Sequence, residues 1–284
     1  MMRAPIAALA VLLAFGAAQA APKGAAPKVA APKASDWRTP AADTVVVIDT
    51  TRGRIVLELI PEVAPAHVAR FQELTREGVY DGRTFFRVID RFMAQTGDPD
   101  DTGEGSTKKP NLKAEFTFRR DAKTPFAVVA APAGTEVGLL RSLPVVSQAA
   151  TWSDATPDKK VSAWGTYCPG VVGEARDEAP DSANSQFFLM RQPYPSLDKR
   201  YTAFGRVLSG LEVVLAIKTG EPVAKPQDAM LKVRLLSDIP VAERPTVRVV
   251  DTASAWFKGE VARKRASRGA DFSVCDIDLP AEVK

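Results

Sequence analysis

Runs of apolar residues at the spacing of β-strands dominate this chain of 284 residues. Two runs, 45–48 and 55–60, flank the short polar stretch Thr51-Arg52-Gly53, which predicts a β-hairpin. Further strands are predicted at 84–89, 92–96, 186–190, 202–207 and 231–237. A mostly antiparallel set of this kind suits a closed barrel, because a closed barrel leaves no sheet edge unpaired.

Two segments carry apolar residues at helical spacing instead. The first begins with Pro65, places Val68, Phe71 and Leu74 three residues apart, and is followed by Gly78. The second is predicted at 211–218. We expect the first helix to cap an end of the barrel.

The N-terminal residues have the composition of an export signal. Arg3 precedes an apolar run over 6–17, and Ala18-Gln19-Ala20 forms an A-x-A cleavage site before Ala21. This run is shorter than the ~20 apolar residues that a spanning helix needs. We therefore predict a signal peptide at 1–20, and a periplasmic or secreted mature protein without a stable membrane anchor.

Three segments lie outside the regular strand pattern. Ala-Pro-Lys occurs three times between residues 21 and 33, which predicts a flexible tether over 21–43. The segment 119–167 is rich in apolar residues, so we expect short strands on the barrel's flank. Its role is either stabilisation or an extra surface for a client. A C-terminal extension over 240–284 contains a predicted strand at 246–250 and a predicted helix at 254–268.

Charge and composition limit the classes of function. The formal net charge of +4 is mild, and the one basic cluster, at Arg263-Lys264-Arg265, fits a solvated helix face, so we expect no nucleic-acid partner. Cys168 and Cys275 are too few for a disulfide scaffold and have no metal-ligand spacing; in an oxidising compartment they either pair or remain separate thiols. The single histidine, His67, is expected at the surface, and we expect neither a metal nor another cofactor.

The run from Tyr80 to Asp98 is the most informative stretch of the chain. At the period of two that strands impose, Phe85, Arg87 and Ile89 share one face. A second strand that carries Phe92, Met93 and Gln95 can return beside it. This arrangement places one arginine and one glutamine within an otherwise apolar strand pair.

The chain resembles cyclophilin-type peptidyl-prolyl isomerases, whose signature runs Phe-His-Arg-Val-Ile, two residues, Phe-Met-x-Gln-x-Gly. Phe85-Phe86-Arg87-Val88-Ile89 and Phe92-Met93-Ala94-Gln95-Thr96-Gly97 match it with Phe86 in place of histidine. The resemblance covers about 44–238, except for the insert. Further matches in the same order are Gly53-Arg54-Ile55, Asp98-Pro99-Asp100-Asp101-Thr102-Gly103, Glu115-Phe116, Asn184-Ser185-Gln186-Phe187-Phe188, Leu197-Asp198 and Tyr201-Thr202-Ala203-Phe204-Gly205.

The resemblance implies a mainly β fold over 44–239: a closed antiparallel eight-stranded barrel capped by two α-helices. It assigns catalysis to Arg87 and Gln95, while Phe85, Val88 and Phe187 belong to the core. It assigns substrate binding to Phe92, Met93, Gln186, Phe188, Leu197 and Tyr201. Two departures from the family pattern, Glu174 and Ser196, are expected to alter the rim of the pocket.

The implied activity is isomerisation of X-Pro peptide bonds in exported proteins. Amide resonance gives such a bond a rotation barrier of ~18–20 kcal/mol. A cation that donates a hydrogen bond towards the proline nitrogen weakens this resonance, and Arg87 is the candidate. The expected partners are extended, proline-containing polypeptides, bound by a monomer. The alternative is a proline-peptide-binding chaperone module with little turnover; a hydrolase is a more distant third reading.

Overall fold

An eight-stranded antiparallel sheet carries the strand pair on which the candidate site depends. The structure is a computed structural model that describes residues 30–284. The strands of this part are β1 (Trp37–Arg38), β2 (Val45–Thr50), β3 (Gly53–Leu59), β4 (Arg87–Ile89), β5 (Met93–Thr96), β6 (Phe118–Arg120), β7 (Phe126–Ala130), β8 (Thr135–Leu140), β9 (Leu143–Gln148), β10 (Val161–Gly165), β11 (Val171–Glu174), β12 (Phe187–Met190), β13 (Ala203–Ser209), β14 (Met230–Leu235), β15 (Val247–Val250) and β16 (Ala281–Val283).

Helices are few. The α-helices in the same residues are α1 (Pro65–Arg76), α2 (Leu211–Ala216) and α3 (Ala255–Arg268). Short 3₁₀ turns cover Ala34–Asp36, Ala150–Ala155, Pro195–Leu197, Leu236–Asp238, Gly269–Asp271 and Val274–Asp276. No helix among residues 30–284 has the length and apolar character needed to cross a membrane.

The large sheet has the order β14-β2-β3-β13-β11-β12-β5-β4. The predicted hairpin is confirmed as β2 and β3, which pair from Val45 opposite Glu58 to Thr50 opposite Gly53. The expectation of a closed barrel is wrong: the sheet is curled but open. Its end strands β4 and β14 form no ladder with each other. The isolated bridges Thr84–Ala229 and Val88–Gly220, together with backbone hydrogen bonds such as that from the Met230 N–H to the Arg83 carbonyl at 2.8 Å, connect this edge to β14 and to the segment before it.

The core of the sheet lies under α1 and α2. Val68, Phe71 and Leu74 of α1 pack in one apolar cluster with Val214 of α2 and with inward residues of the strands. Phe85, Val88 and Phe187 belong to this cluster, which confirms them as core residues. The helical spacing of apolar residues therefore predicted both capping helices.

The insert forms a sheet of its own. Five strands in the order β6-β10-β9-β8-β7 confirm the expectation of short strands. Leu139, Leu143 and Val145 of this sheet pack in the same apolar cluster as Met93 and Phe188 of the large sheet. Trp152 does not contribute to this packing, since it is 56% exposed.

The C-terminal extension docks on the same cluster. Ser254 caps α3 by accepting a hydrogen bond from the backbone N–H of Phe257, and Phe257 and Val261 are buried against the large sheet and the insert. Cys168 and Cys275, whose pairing the sequence left open, form a disulfide that connects the segment before β11 to the extension.

The whole predicted signal peptide and residues 21–29 of the predicted tether lie outside the described residues. The described end of the tether is folded: β1 pairs with β15 of the extension, which also pairs with β16. Arg38 donates two hydrogen bonds to the carboxylate of Glu58, at 2.6 Å and 2.8 Å. This ion pair attaches β1 to β3.

Candidate active site

The predicted catalytic pair lies on two neighbouring strands. Arg87 of β4 is directly opposite Gln95 of β5, and Arg87 Nη1 donates a hydrogen bond to Gln95 Oε1 at 3.1 Å. Gln95 Nε2 donates in turn to Gln186 Oε1 at 2.9 Å. Gln186 is anchored by its own Nε2, which donates to the carbonyl oxygens of Gly103 and Gly105. A continuous chain of side-chain amides therefore fixes the orientation of Arg87.

A cavity of about 490 Å³ opens beside this pair. Arg87, Gln95 and five of the six predicted binding residues line it, while Gln186 lines a smaller neighbouring cavity of about 150 Å³. The predicted binding residues in the larger cavity are Phe92, Met93, Phe188, Leu197 and Tyr201. Residues far apart in sequence thus form one apolar wall beside one cation.

Glu221 is part of this site, and sequence reasoning missed it. Its Oε1 accepts a hydrogen bond from Arg87 Nε at 2.6 Å, and the next residue, Pro222, also lines the cavity. Glu221 lies 134 residues beyond Arg87, in a loop before β14. A loop residue at such a distance has no hydrophobic period that could have identified it.

The loop after β5 forms another part of the rim. Asp98 accepts hydrogen bonds from the backbone N–H groups of Asp100, Thr102, Gly103 and Gly105. Burial alone would raise the pKa of the Asp98 carboxyl, but these hydrogen bonds lower it. The ionised carboxylate therefore holds the loop in a form in which Thr102, Gly103 and Glu104 line the cavity.

Arg176 forms the opposite rim and was likewise not assigned from the sequence. Its guanidinium lies 4.4 Å from the ring centroid of Tyr201 and 5.5 Å from that of Phe116. The ring of Tyr201 meets Phe188 edge-on at 6.1 Å. The cavity consequently has an apolar floor between two cations, Arg87 and Arg176.

The two departures from the family pattern do not alter the pocket lining as expected. Ser196 is exposed and does not line the cavity. Glu174 is buried inside the wall, where its Oε1 accepts a hydrogen bond from the backbone N–H of Thr202 at 3.1 Å. Arg176 and Glu221 line the cavity instead.

His67 is buried, so the expectation of a surface histidine is wrong. Its Nδ1 lies 2.7 Å from Glu115 Oε2, and its Nε2 contacts Glu174 Oε2. Burial alone would lower the pKa of His67, but the hydrogen bonds and charges of the two carboxylates raise it to about 9. Because the carboxylates bind opposite edges of the ring, the described side chains do not converge on a metal site.

Comparisons with known proteins identify the family of this chain. The family model "Cyclophilin type peptidyl-prolyl cis-trans isomerase/CLD" matches residues 45–238. A probable peptidyl-prolyl cis-trans isomerase of Brucella suis is 32% identical over 211 residues, which are 69% of this chain and 84% of that protein. Peptidyl-prolyl cis-trans isomerase B of Bacillus subtilis is 31% identical over 168 residues, or 59% of this chain and 85% of that protein.

A solved structure extends the similarity beyond the family match. Cyclophilin AquaCyp293 from Hirschia baltica has a TM-score of 0.81 and 33% identity, and the match covers 87% of this chain and 93% of that one. This chain belongs to the cyclophilin-type peptidyl-prolyl cis-trans isomerases, and it is an isomerase enzyme of that class.

Proposed function

We propose that this enzyme accelerates rotation about X-Pro bonds in exported polypeptides, with Arg87 as the group that acts on the proline nitrogen. The observation that carries the proposal is the position of Arg87 in a cavity that has one apolar wall. Its Nε and Nη1 are occupied by Glu221 and Gln95. Since neither of these hydrogen bonds uses Nη2, this nitrogen can donate to a substrate.

The reaction needs no proton transfer and no covalent intermediate. As the amide twists, the lone pair of the proline nitrogen leaves the resonance system and becomes a hydrogen-bond acceptor. Arg87 stays charged throughout and stabilises this state. The proline ring binds against the apolar side chains of Phe92, Met93, Phe188 and Leu197. Gln95 and Gln186 orient the arginine and the substrate backbone.

Magnitudes show that Arg87 does not act alone. A millionfold acceleration requires about 8 kcal/mol, whereas a hydrogen bond to a charged group contributes ~1.5–3 kcal/mol net. Exclusion of water from the twisting amide and fixation of the flanking residues supply the remainder. The apolar wall is therefore as necessary to the mechanism as the cation.

Two features support action outside the cytoplasm. One is the composition of residues 1–20, which fits a cleaved export signal. The other is the disulfide between Cys168 and Cys275, because such bonds persist in oxidising compartments. N-terminal sequencing of the mature protein from a bacterial periplasm is expected to begin at Ala21; a cytoplasmic protein that keeps Met1 would contradict export.

The activity itself is tested by exchange NMR on a short Ala-Pro peptide. The wild-type protein should accelerate cis/trans exchange, and Arg87→Ala should lower kcat/KM roughly 100-fold or more with an unchanged circular dichroism spectrum. Equal activity in both proteins would refute the role of Arg87. Saturable binding of the peptide without accelerated exchange would favour the chaperone-module alternative.

A further inference from the structure

A second cavity, of about 160 Å³, lies where the large sheet, the insert and the C-terminal extension meet. It shares no lining residue with the active-site cavity. Its walls are mostly apolar, and they come from β13, the turn between β8 and β9, α2 and the segment before β16. The lining includes Ser142, Arg206, Leu208, Leu211, Asp278 and Leu279.

Arg206 gives this cavity a cation without an ion-pair partner. Its Nη1 donates a hydrogen bond to the backbone carbonyl oxygen of Ser142 at 3.0 Å. Within residues 30–284, no carboxylate approaches it to ion-pair distance, whereas Arg38 of β1 and Arg141 of the turn between β8 and β9 each have such a partner. Burial lowers the pKa of Arg206 to about 10, so it remains charged at neutral pH. Arg206 is half-buried, and a charge that is partly removed from water is costly unless something pairs with it.

Ser142 adds a second polar group at the same place. The residue is 0% exposed, and its hydroxyl has no hydrogen-bond partner among the described residues. Buried hydroxyls are normally hydrogen-bonded. Because the backbone of Ser142 already binds Arg206, one small ligand can reach both the hydroxyl and the guanidinium.

The surrounding charges indicate which ligand fits. Asp278 also lines the cavity, but its side chain is 84% exposed and binds Lys264 Nζ at 2.9 Å. The net charge of Arg206, Lys264 and Asp278 together is +1. This charge matches a monoanion better than a dianion. The volume equals about five waters of liquid, so the cavity also has room for an apolar group against Leu208, Leu211 and Leu279.

We propose that this cavity binds a small aliphatic monocarboxylate, whose carboxylate pairs with Arg206 and Ser142 and whose tail lies against the leucines. Such a ligand would contact the sheet, the insert and the extension at once. Its binding would therefore stabilise the folded protein, because a ligand that binds only the folded state raises the free energy of unfolding. The proposal is independent of the prolyl isomerase mechanism.

Calorimetric titration with sodium hexanoate tests the proposal directly. We expect saturable binding with one site per chain and a rise in the melting temperature. Hexanol, which has the same tail without the charge, should bind far more weakly, and so should chloride or hydrogen phosphate at equal ionic strength. Crystals grown with bromohexanoate should show the anomalous signal of bromine beside Leu208 and Leu211.

Variants then locate the site. Arg206→Gln should weaken hexanoate binding roughly 10- to 100-fold, and Ser142→Ala about 3- to 10-fold. Arg76→Gln, which removes the same charge from the exposed face of α1, should leave the affinity unchanged. If Arg206→Gln does not fold, Ser142→Ala and the bromine position decide. Absence of saturable binding, or equal affinity in wild type and Arg206→Gln, would overturn the proposal.

Discussion

Two charged clusters near the active-site cavity contain similar groups but differ in their access to water. The mouth cluster consists of Arg87, Gln95 and Glu221, and the side chains of Arg87 and Glu221 are 37% and 55% exposed. The buried cluster consists of His67, Glu115 and Glu174, and the side chains of His67 and Glu174 are 3% and 2% exposed. Both clusters place a cation between acceptors, yet only the first can reach a substrate.

The difference in water access between the two clusters suits one of them to catalysis and the other to stability. An exposed ion pair is screened by water and contributes little to folding, so Arg87 can exchange partners when a peptide arrives. In the buried cluster, removal of one charge leaves the others desolvated and unpaired, which is strongly destabilising. We therefore expect the mouth cluster to control turnover and the buried cluster to control stability.

The largest expected effect is on stability. His67→Ala leaves Glu115 and Glu174 beside each other without their shared cation. We expect the free energy of unfolding to fall by about 3–5 kcal/mol, the range found when one partner of a buried pair is removed. Urea denaturation followed by circular dichroism measures this change.

A double substitution controls for the loss of volume and charge. His67→Leu combined with Glu174→Met replaces both buried charges by apolar groups. The double variant should recover most of the stability, because no unpaired buried charge remains at that edge. Failure to recover would mean that the cluster stabilises through packing rather than charge.

The pH dependence of stability is the second effect. His67 has a raised pKa in the folded state, so its contribution is fully present below its unfolded pKa of 6.5 and is lost as pH rises through about 9. Burial alone would raise the pKa of Glu115, but hydrogen bonds from His67 outweigh burial and lower it. The contribution of Glu115 to stability is therefore lost as the pH falls. Stability should therefore decline by a few kcal/mol between pH 6.5 and 9.

Measuring stability against pH for His67→Ala isolates the contribution of His67. His67 is the only histidine of the chain, so His67→Ala should show a nearly flat stability between those pH values. A parallel decline in wild type and variant would assign the pH dependence to other groups and would contradict the charge network.

The mouth cluster was partly predictable from the sequence, because two of its three residues are close together in the chain. Arg87 and Gln95 lie on two strands joined by a short turn, so a period of two and a hairpin are enough to place them opposite each other. Glu221 and Arg176 reach the same cavity from distant loops and strands. Their positions depend on the three-dimensional path of the chain, which no local period encodes.

The buried cluster was missed for a different reason. His67 is spaced four residues before Phe71, on the core side of α1, so helical spacing contained a signal for burial. The polar character of histidine outweighed that signal, because its two carboxylate partners lie far along the chain. The open sheet was missed similarly: apolar runs predicted the strands, but not that β4 and β14, at the two ends of the strand order, form no ladder with each other.

The third prediction concerns Glu221 and turnover. Glu221→Ala frees the Nε edge of Arg87, so the guanidinium should sample orientations that do not face the substrate. We expect kcat/KM to fall about tenfold, mainly through kcat, with partial recovery in Glu221→Gln, which keeps an acceptor. Glu62→Ala is the matched control, because Glu62 binds Arg141 Nε at the same 2.6 Å but does not line the cavity. Equal losses in both variants would refute a positioning role.

The smallest expected effect is that of the mouth cluster on stability. Since Arg87 and Glu221 are both substantially exposed, water replaces their ion pair when one partner is removed. Glu221→Ala should change the free energy of unfolding by less than about 1 kcal/mol, and a double-mutant cycle with Arg87→Ala should give a coupling of ~0.2–1 kcal/mol. The same cycle on His67 and Glu174 should give a coupling several times larger. Similar coupling energies in the two clusters would show that solvent exposure does not determine their roles. Such a result would contradict the assignment of the mouth cluster to turnover and of the buried cluster to stability.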